Sequence, residues 1–486
     1  MIRLSRLRLA VLALSVLLGA LSLLQLEGAR SGLEIERGFV GPAPATIYRP
    51  AEPQGLVVVA HGFGGSRQMM QALSLTLARA GQTVVAFDFP GHGRNPEPLS
   101  PVVTEISGTT AQLVARTGAV IDAAVARYGG DPVTLVGHSM ATDVIIRAAA
   151  PREIETIVAV SMYSEAVTPT HPARLLIVSG AWEERLRRAG LQALAQVDPT
   201  LGEGETAAAG DVLRRTIAAP RVEHVGVLYH PSTLDETLAW AVPDADARPV
   251  ILGPAILTLL ASIVAAYWAA VPLLPAAGAA PAPLAWRRIG AAVLIPALPA
   301  FAAAHWIGGP LLGAASYGRL TLFFAVWGGL QLWLLRRWGV PAAPVVPVAL
   351  IGLLVWGLGV FAPALDRYGS AFAAVGPRLP LAVVLAAGTL PFMLAEARLT
   401  AGAGLLRTAF VKTVPILVLA GAMIVNPLDF GLLFTVLPVM ILFHVVYGAM
   451  GRWTAARAGA ASAGWALGLS LAVALAASQP IFDAIG

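Results

Sequence analysis

Apolar and polar positions along the chain follow two regimes. Between residues 33 and 248, short apolar runs alternate with stretches of helical period. Runs 33–40 and 45–48 predict a leading hairpin, and 55–60 and 83–87 predict buried strands rich in β-branched residues. Run 133–136 predicts a third buried strand, and 154–160, 174–178 and 221–225 predict three more. Helical patterns fall at 68–80, 111–128, 184–195, 211–217 and 232–241, with a Gly/Glu-rich loop before 211. Strands that alternate with helices predict right-handed crossovers and a mostly parallel sheet covered on both faces. In such sheets ligands bind beyond the carboxyl ends of the strands.

From residue 249 the pattern becomes long apolar stretches, at 249–271, 289–307, 318–335, 343–364, 379–395, 409–425, 429–449 and 460–480. Each approaches the roughly 20 residues a helix needs to cross a bilayer. Residues 9–26 add another, behind a start carrying Arg3, Arg6 and Arg8. An uncleaved anchor is favoured over a signal peptide, because Glu27 occupies a place where a cut after Ala29 wants a small residue. The expected organisation is an anchor at 1–26, an exported α/β domain at 27–248 and an all-α domain of about eight spans at 249–486.

Composition agrees with membrane insertion. The 486 residues are 57% hydrophobic and 13% charged, with a mean hydropathy of +0.73. Charge supplies the orientation. With a cytoplasmic N-terminus, loops on that side carry Arg287, Arg288, Arg336, Arg337, Arg398, Arg407, Lys412, Arg452 and Arg457, besides the three N-terminal arginines. The other side carries Arg319, Arg367 and Arg378, so the split is 12 against 3. The expected location is a bacterial cell membrane, with the α/β domain outside. Residues 27–248 hold 18 Arg against 24 Asp and Glu, a balance that excludes a nucleic-acid partner. The chain has no cysteine, which removes thiolate chemistry and disulfides. The spans are nearly free of charge at their centres, which argues against an ion-coupled pump. His444 is expected to pack between helices, and Lys412 to extend its amine toward water.

Candidate chemistry lies where the predicted strands end. Val133-Thr-Leu-Val-Gly-His-Ser-Met-Ala reads as a strand turning sharply into a helix with Ser139 at the corner. Gly137 and Ala141 are the small residues such a corner needs two places either side of the serine, with alanine where glycine is usual. Val57-Val-Val-Ala-His-Gly-Phe-Gly-Gly-Ser opens a strand into a glycine-rich loop. There the Phe63 N–H, with that of Met140, could face a developing oxyanion. Asp88-Phe-Pro-Gly-His-Gly forms a second loop. His61 and His92 are read as packing residues.

A serine hydroxyl needs a base, and the base needs an orienting carboxylate. Glu183 is the favoured acid, with Glu165 and Glu184 as alternatives. His224 is the favoured base, with His230 as the alternative and the loser a loop or helix-cap residue.

These motifs, with the order Ser139, Glu183, His224, resemble the α/β-hydrolase family over residues 33–248. The resemblance implies a doubly wound, mostly parallel sheet and a serine hydrolase cleaving an ester-type bond, with no metal or organic cofactor needed; tethering beside a bilayer suggests a lipid or other small-molecule ester as substrate. It also implies a nucleophile at Ser139, an acid at Glu183 and a base at His224. The acid is glutamate where the family more often has aspartate, and the interval 161–173 is short where lipase-like members insert a helical cap. A membrane scaffold or transporter with a non-catalytic ligand-binding domain, and an acyltransferase, are the alternative readings.

Overall fold

The computed structural model describes the chain apart from residues 1–3, 130–131, 279–281, 313, 315, 343 and 484–486. Arg3 and the first residue of the expected 343–364 run lie outside the described residues. The chain forms two compact units. One comprises Ser22–Leu257 with Arg367–Ala371, and the other Met1–Leu21, Thr258–Asp366 and Phe372–Gly486.

The first unit is built on nine strands: β1 (Glu34–Val40), β2 (Ala43–Arg49), β3 (Gly55–Ala60), β4 (Gln82–Phe87), β5 (Val133–His138), β6 (Thr156–Val160), β7 (Arg174–Gly180), β8 (Thr206–Ala209) and β9 (Val212–Ala219). Their order is β1-β2-β4-β3-β5-β6-β7-β9-β8. Strands β4, β3, β5, β6, β7 and β9 run parallel, while β2 joins β4, β1 joins β2 and β8 joins β9 antiparallel. The central strands are near-continuous apolar runs because both their faces are covered. Helix α3 (Ala111–Tyr128) buries Leu113, Thr117, Val120, Ile121 and Ala124, a spacing of three and four that puts one stripe inward. From β3 the chain crosses to β4 on one side and returns to β5 on the other. The carboxyl ends of β3 and β5 therefore flank the reversal point where such sheets leave a crevice.

The last strand differs from its sequence expectation. Residues 211–217, expected to be helical, form most of β9, and 221–225, expected to be a strand, form a loop. Arg214 and Arg215 suggest a solvated helix face, but β9 alternates inward and outward and pairs with β7 along its length. Arg214 is fully buried and donates to the carbonyls of Ala193 and Thr168 at 2.8 and 2.9 Å. Tertiary carbonyl acceptors make a buried arginine tolerable here, and local pattern carries no trace of them.

Among the described residues nine helices are long and apolar enough to cross a membrane: Arg6–Gly28, Gly253–Leu273, Trp286–Trp306, Tyr317–Arg337, Pro347–Tyr368, Arg378–Thr400, Leu405–Val425, Leu433–Ala458 and Ala460–Ser478. Each overlaps one expected run. Two expectations about charge fail in the second unit. Lys412 does not reach for water: its amine pairs with buried Glu396 and lies 3.3 Å from His444 Nδ1. Helix Arg378–Thr400 runs past the expected end at 395, so Glu396 falls inside it. Glu396 lies four residues before the end of that helix, a buried ionisable group that the expectation of nearly uncharged span centres does not cover. Arg378, expected on a loop, is buried and donates to the carbonyls of Ala476 and Gln479, each at 2.7 Å.

Candidate active site

Between β5 and helix α4 (Met140–Ala149) the backbone turns at Ser139, whose φ of 55° and ψ of −122° are strained for a residue with a Cβ. The turn is held by the Ser139 N–H, which donates to the Val160 carbonyl at 2.8 Å, and by Thr142 Oγ1, which donates to the Ser139 carbonyl at 2.7 Å. Glycine suits position 137 because a Cβ there would lie 2.8 Å from Ile145 Cδ1 and 3.1 Å from the Ala141 carbonyl, so the neighbours would have to shift. The strand-to-helix corner read from the sequence is thus a consequence of α4 folding back closely onto β5.

His224 lies in the loop after β9, and Glu183 in the turn after β7. Ser139 Oγ is 2.8 Å from His224 Nε2, and His224 Nδ1 is 2.5 Å from Glu183 Oε1. An ionised carboxylate only accepts, so Nδ1 carries the hydrogen and Nε2 is free to accept from the hydroxyl. Glu183 is itself held: its Oε2 accepts from Ser161 Oγ at 2.7 Å and from the Gly180 N–H at 2.6 Å. Burial pushes the Glu183 carboxyl up. The hydrogen bonds from His224, Ser161 and Gly180 outweigh burial and hold it below its ordinary value. His138 Nε2–H donates to the His224 carbonyl at 2.8 Å. Burial first, then the neighbouring His224, pulls the His138 imidazole down to about 3, so it stays neutral.

The other candidates lie elsewhere. Glu184 is exposed and pairs with Arg188 at 2.7 Å, and Glu165 is exposed with its carboxylate 3.3 Å from the Tyr163 hydroxyl. His230 caps helix α6 (Pro231–Ala241), its Nδ1 accepting from the Ser232 N–H at 3.2 Å. His61 is buried, donating from Nδ1 to the Gly62 carbonyl at 2.8 Å and accepting at Nε2 from the Phe89 N–H at 3.1 Å. His92 is buried and its Nδ1 donates to the Pro90 carbonyl at 2.8 Å.

The loop carrying Phe63 passes beside the nucleophile corner, since a Cβ on Gly62 would come within 3.0 Å of Ser139 Cβ. Met140 opens α4, so its N–H is one of the helix's unpaired terminal donors. Asp88 joins the two glycine-rich loops, accepting from the N–H groups of Arg67 and Arg94 at 2.9 Å each and from the Arg67 guanidinium.

Sequence reasoning missed Ser161, His138 and the Asp88–Arg67 pair. Ser161 carried one signal, a small polar residue directly after a buried strand next to the nucleophile strand. Asp88 carried another, a carboxylate closing an otherwise apolar run. A hydroxyl bonded to an imidazole whose other nitrogen faces a held carboxylate is equipped for nucleophilic attack on an acyl carbon.

A family model described as the alpha/beta hydrolase fold matches residues 55–194. Among curated proteins none matches the chain. Similar solved structures include TT1662 from Thermus thermophilus, at 18% identity over 44% of this chain and 99% of that one, with a TM-score of 0.33. A dienelactone hydrolase from Anabaena variabilis is 17% identical over 44% of this chain and 96% of its own, with a TM-score of 0.33. An epoxide hydrolase from an endophytic Streptomyces is 23% identical over 28% of this chain and 39% of its own, with a TM-score of 0.22. The first unit has the α/β-hydrolase fold, and a helical region with several apolar helices follows it in the chain.

Proposed function

We propose that this protein is a membrane-anchored serine hydrolase that cleaves an ester-type bond. The observation that carries the reading is the run of contacts from Ser139 Oγ to His224 Nε2, 2.8 Å, and from His224 Nδ1 to Glu183, 2.5 Å. Ser139 attacks the carbonyl carbon as His224 takes its proton. The N–H groups of Phe63 and Met140 hold the oxyanion. Collapse breaks the ester C–O bond, and the leaving alcohol takes the proton from His224. Water then attacks the acyl-enzyme, again through His224, releasing the acid and restoring Ser139. Glu183 keeps the imidazole in the accepting tautomer and stabilises its cation. The chain is integral to a cell membrane through its apolar helices, with the hydrolase unit outside as the arginine distribution indicates. The substrate is a lipid or other membrane-associated ester.

The test is labelling of the full-length, detergent-extracted protein by a fluorophosphonate, with hydrolysis of p-nitrophenyl esters of increasing acyl length. Wild type is expected to label and turn over. Ser139→Ala is expected to do neither, with kcat lower by about a thousandfold or more. Folded wild type that neither labels nor hydrolyses any ester would overturn the reading.

A further inference from the structure

A second polar cavity lies in the same unit, and no member of the Ser139 site lines it. Its walls are Arg30, Arg37, Thr46, Tyr48, Arg67, Gln68, Gln71, Arg94 and Arg367. Among the described residues no carboxylate lines it, although five guanidinium groups do. Carboxylates outside the lining pair with members of this set: Asp88 pairs with Arg67, and Glu27 holds Arg367 at 2.8 Å and lies 3.9 Å from Arg30.

Arg30, Arg67 and Arg367 are held by hydrogen bonds. Arg30 donates to Gln71 Oε1 at 2.7 Å, and the same amide donates from Nε2 to the Arg367 carbonyl at 3.0 Å. Arg67 donates from Nε to Thr46 Oγ1 at 2.9 Å. Arg30 and Arg67 are only 8% and 5% exposed, so much of this charge is withdrawn from water. Burial, then the charges of Arg30, Arg367 and Arg94, pulls the Arg37 guanidinium below its ordinary value. Like charges pressed together and partly desolvated are costly unless an anion joins them. Gln68 adds a buried amide oxygen without a hydrogen-bond partner. A half-turn of that amide would offer an N–H instead.

We infer that the arginines around this small cavity bind a phosphate group, taken either from a phospholipid headgroup or from a soluble phosphate. The guanidinium fork matches phosphate oxygens in geometry and charge, which a lone ammonium does not. Chain position favours the lipid source. Arg30 follows the end of Arg6–Gly28 by two residues, and Arg367 is the penultimate residue of Pro347–Tyr368. Both helices are long and apolar enough to span a bilayer, and in the chain Arg30 and Arg367 fall where such helices end, the region that headgroups occupy. The inference does not rest on the chemistry at Ser139.

The test uses the full-length protein in detergent, at fixed ionic strength, and reads the concentration dependence of thermal stabilisation. The probes are inorganic phosphate, dihexanoyl phosphatidic acid and, as a phosphate-free control lipid, dihexanoylglycerol. Wild type is expected to be stabilised saturably by phosphatidic acid and far less by dihexanoylglycerol. Arg37→Gln should weaken that affinity about tenfold and Arg37→Glu further. Because either substitution removes one of the crowded like charges, neither variant should melt below wild type when no probe is present. Stabilisation by phosphatidic acid alone supports a headgroup site, and stabilisation by inorganic phosphate as well supports a site for the phosphate itself. Equal response to the two lipids, no response to any probe, or an unchanged response in both Arg37 variants would overturn the inference.

Discussion

The imidazole of His138, the residue before the candidate nucleophile, donates a hydrogen bond to the main-chain carbonyl of His224 at 2.8 Å. The bond ties the end of β5 to the loop after β9, two segments that share no strand pairing. The position of the His224 ring over Ser139 therefore depends on a side chain that touches neither the hydroxyl nor the carboxylate.

Removing this tie should loosen His224 without removing any reacting group. His138→Ala is expected to lower kcat by about one to two orders of magnitude with little change in KM. His138→Gln, whose amide can still donate, should recover most of the loss. Steady-state kinetics on a p-nitrophenyl ester separates the two, and equal loss in both variants would remove His138 from the positioning role.

The same residue sets a pH dependence. Its imidazole takes a proton near 6.5 when unfolded but only near 3 when folded. Between these values the unfolded chain binds more protons, so His138 erodes stability as pH falls from about 6.5 toward 3. The melting temperature of wild type should therefore drop more on acidification from pH 7 to pH 4 than that of His138→Gln. Parallel curves would contradict the buried, neutral state.

Three carboxylates were open as the acid, and the geometry separates them. Glu183→Gln should cut acylation by about ten-thousandfold, because the imidazole loses both its orientation and its preferred tautomer. Glu165→Gln and Glu184→Gln, both at exposed positions, should stay within about twofold of wild type. Ser161→Ala, which removes one of the bonds holding Glu183, should fall between at about tenfold. Fluorophosphonate labelling rates order the four variants, and a labelling rate for Glu183→Gln near wild type would reassign the acid.

Glu396 lies between the Lys412 amine and His444 Nε2, the latter 3.6 Å away. Removing the carboxylate leaves a buried ammonium without its counter-charge, and Glu396→Ala should cost about 3–5 kcal/mol. The double variant Glu396→Leu with Lys412→Met should recover most of that loss, as replacing a whole buried pair is far less costly than breaking one. Thermal unfolding in lipid nanodiscs measures both. A double variant no more stable than the single one would show that the pair does more than cancel charge.

Local pattern determined much of this protein. The runs that became β3, β4 and β5 are continuous apolar stretches of β-branched residues, and the two glycine-rich loops and the Ser139 corner are each contiguous in sequence. The apolar helices are equally legible, because bilayer length and hydropathy are properties of one segment at a time. Tertiary structure decided whatever depends on partners far along the chain. Residues 211–217 became β9 because β7 offered an open edge and the carbonyls around Arg214 satisfied a buried guanidinium. Nothing local separates Glu183 from Glu184, and only packing of the turn after β7 brings one to His224 and leaves the other in water. Glu396, Lys412 and His444 belong to three different helices, and the arginines of the second cavity are drawn from residues 30 to 367. The physical reason is the same in each case: a charge can be buried when a distant group meets it, and hydrophobic period carries no record of that group.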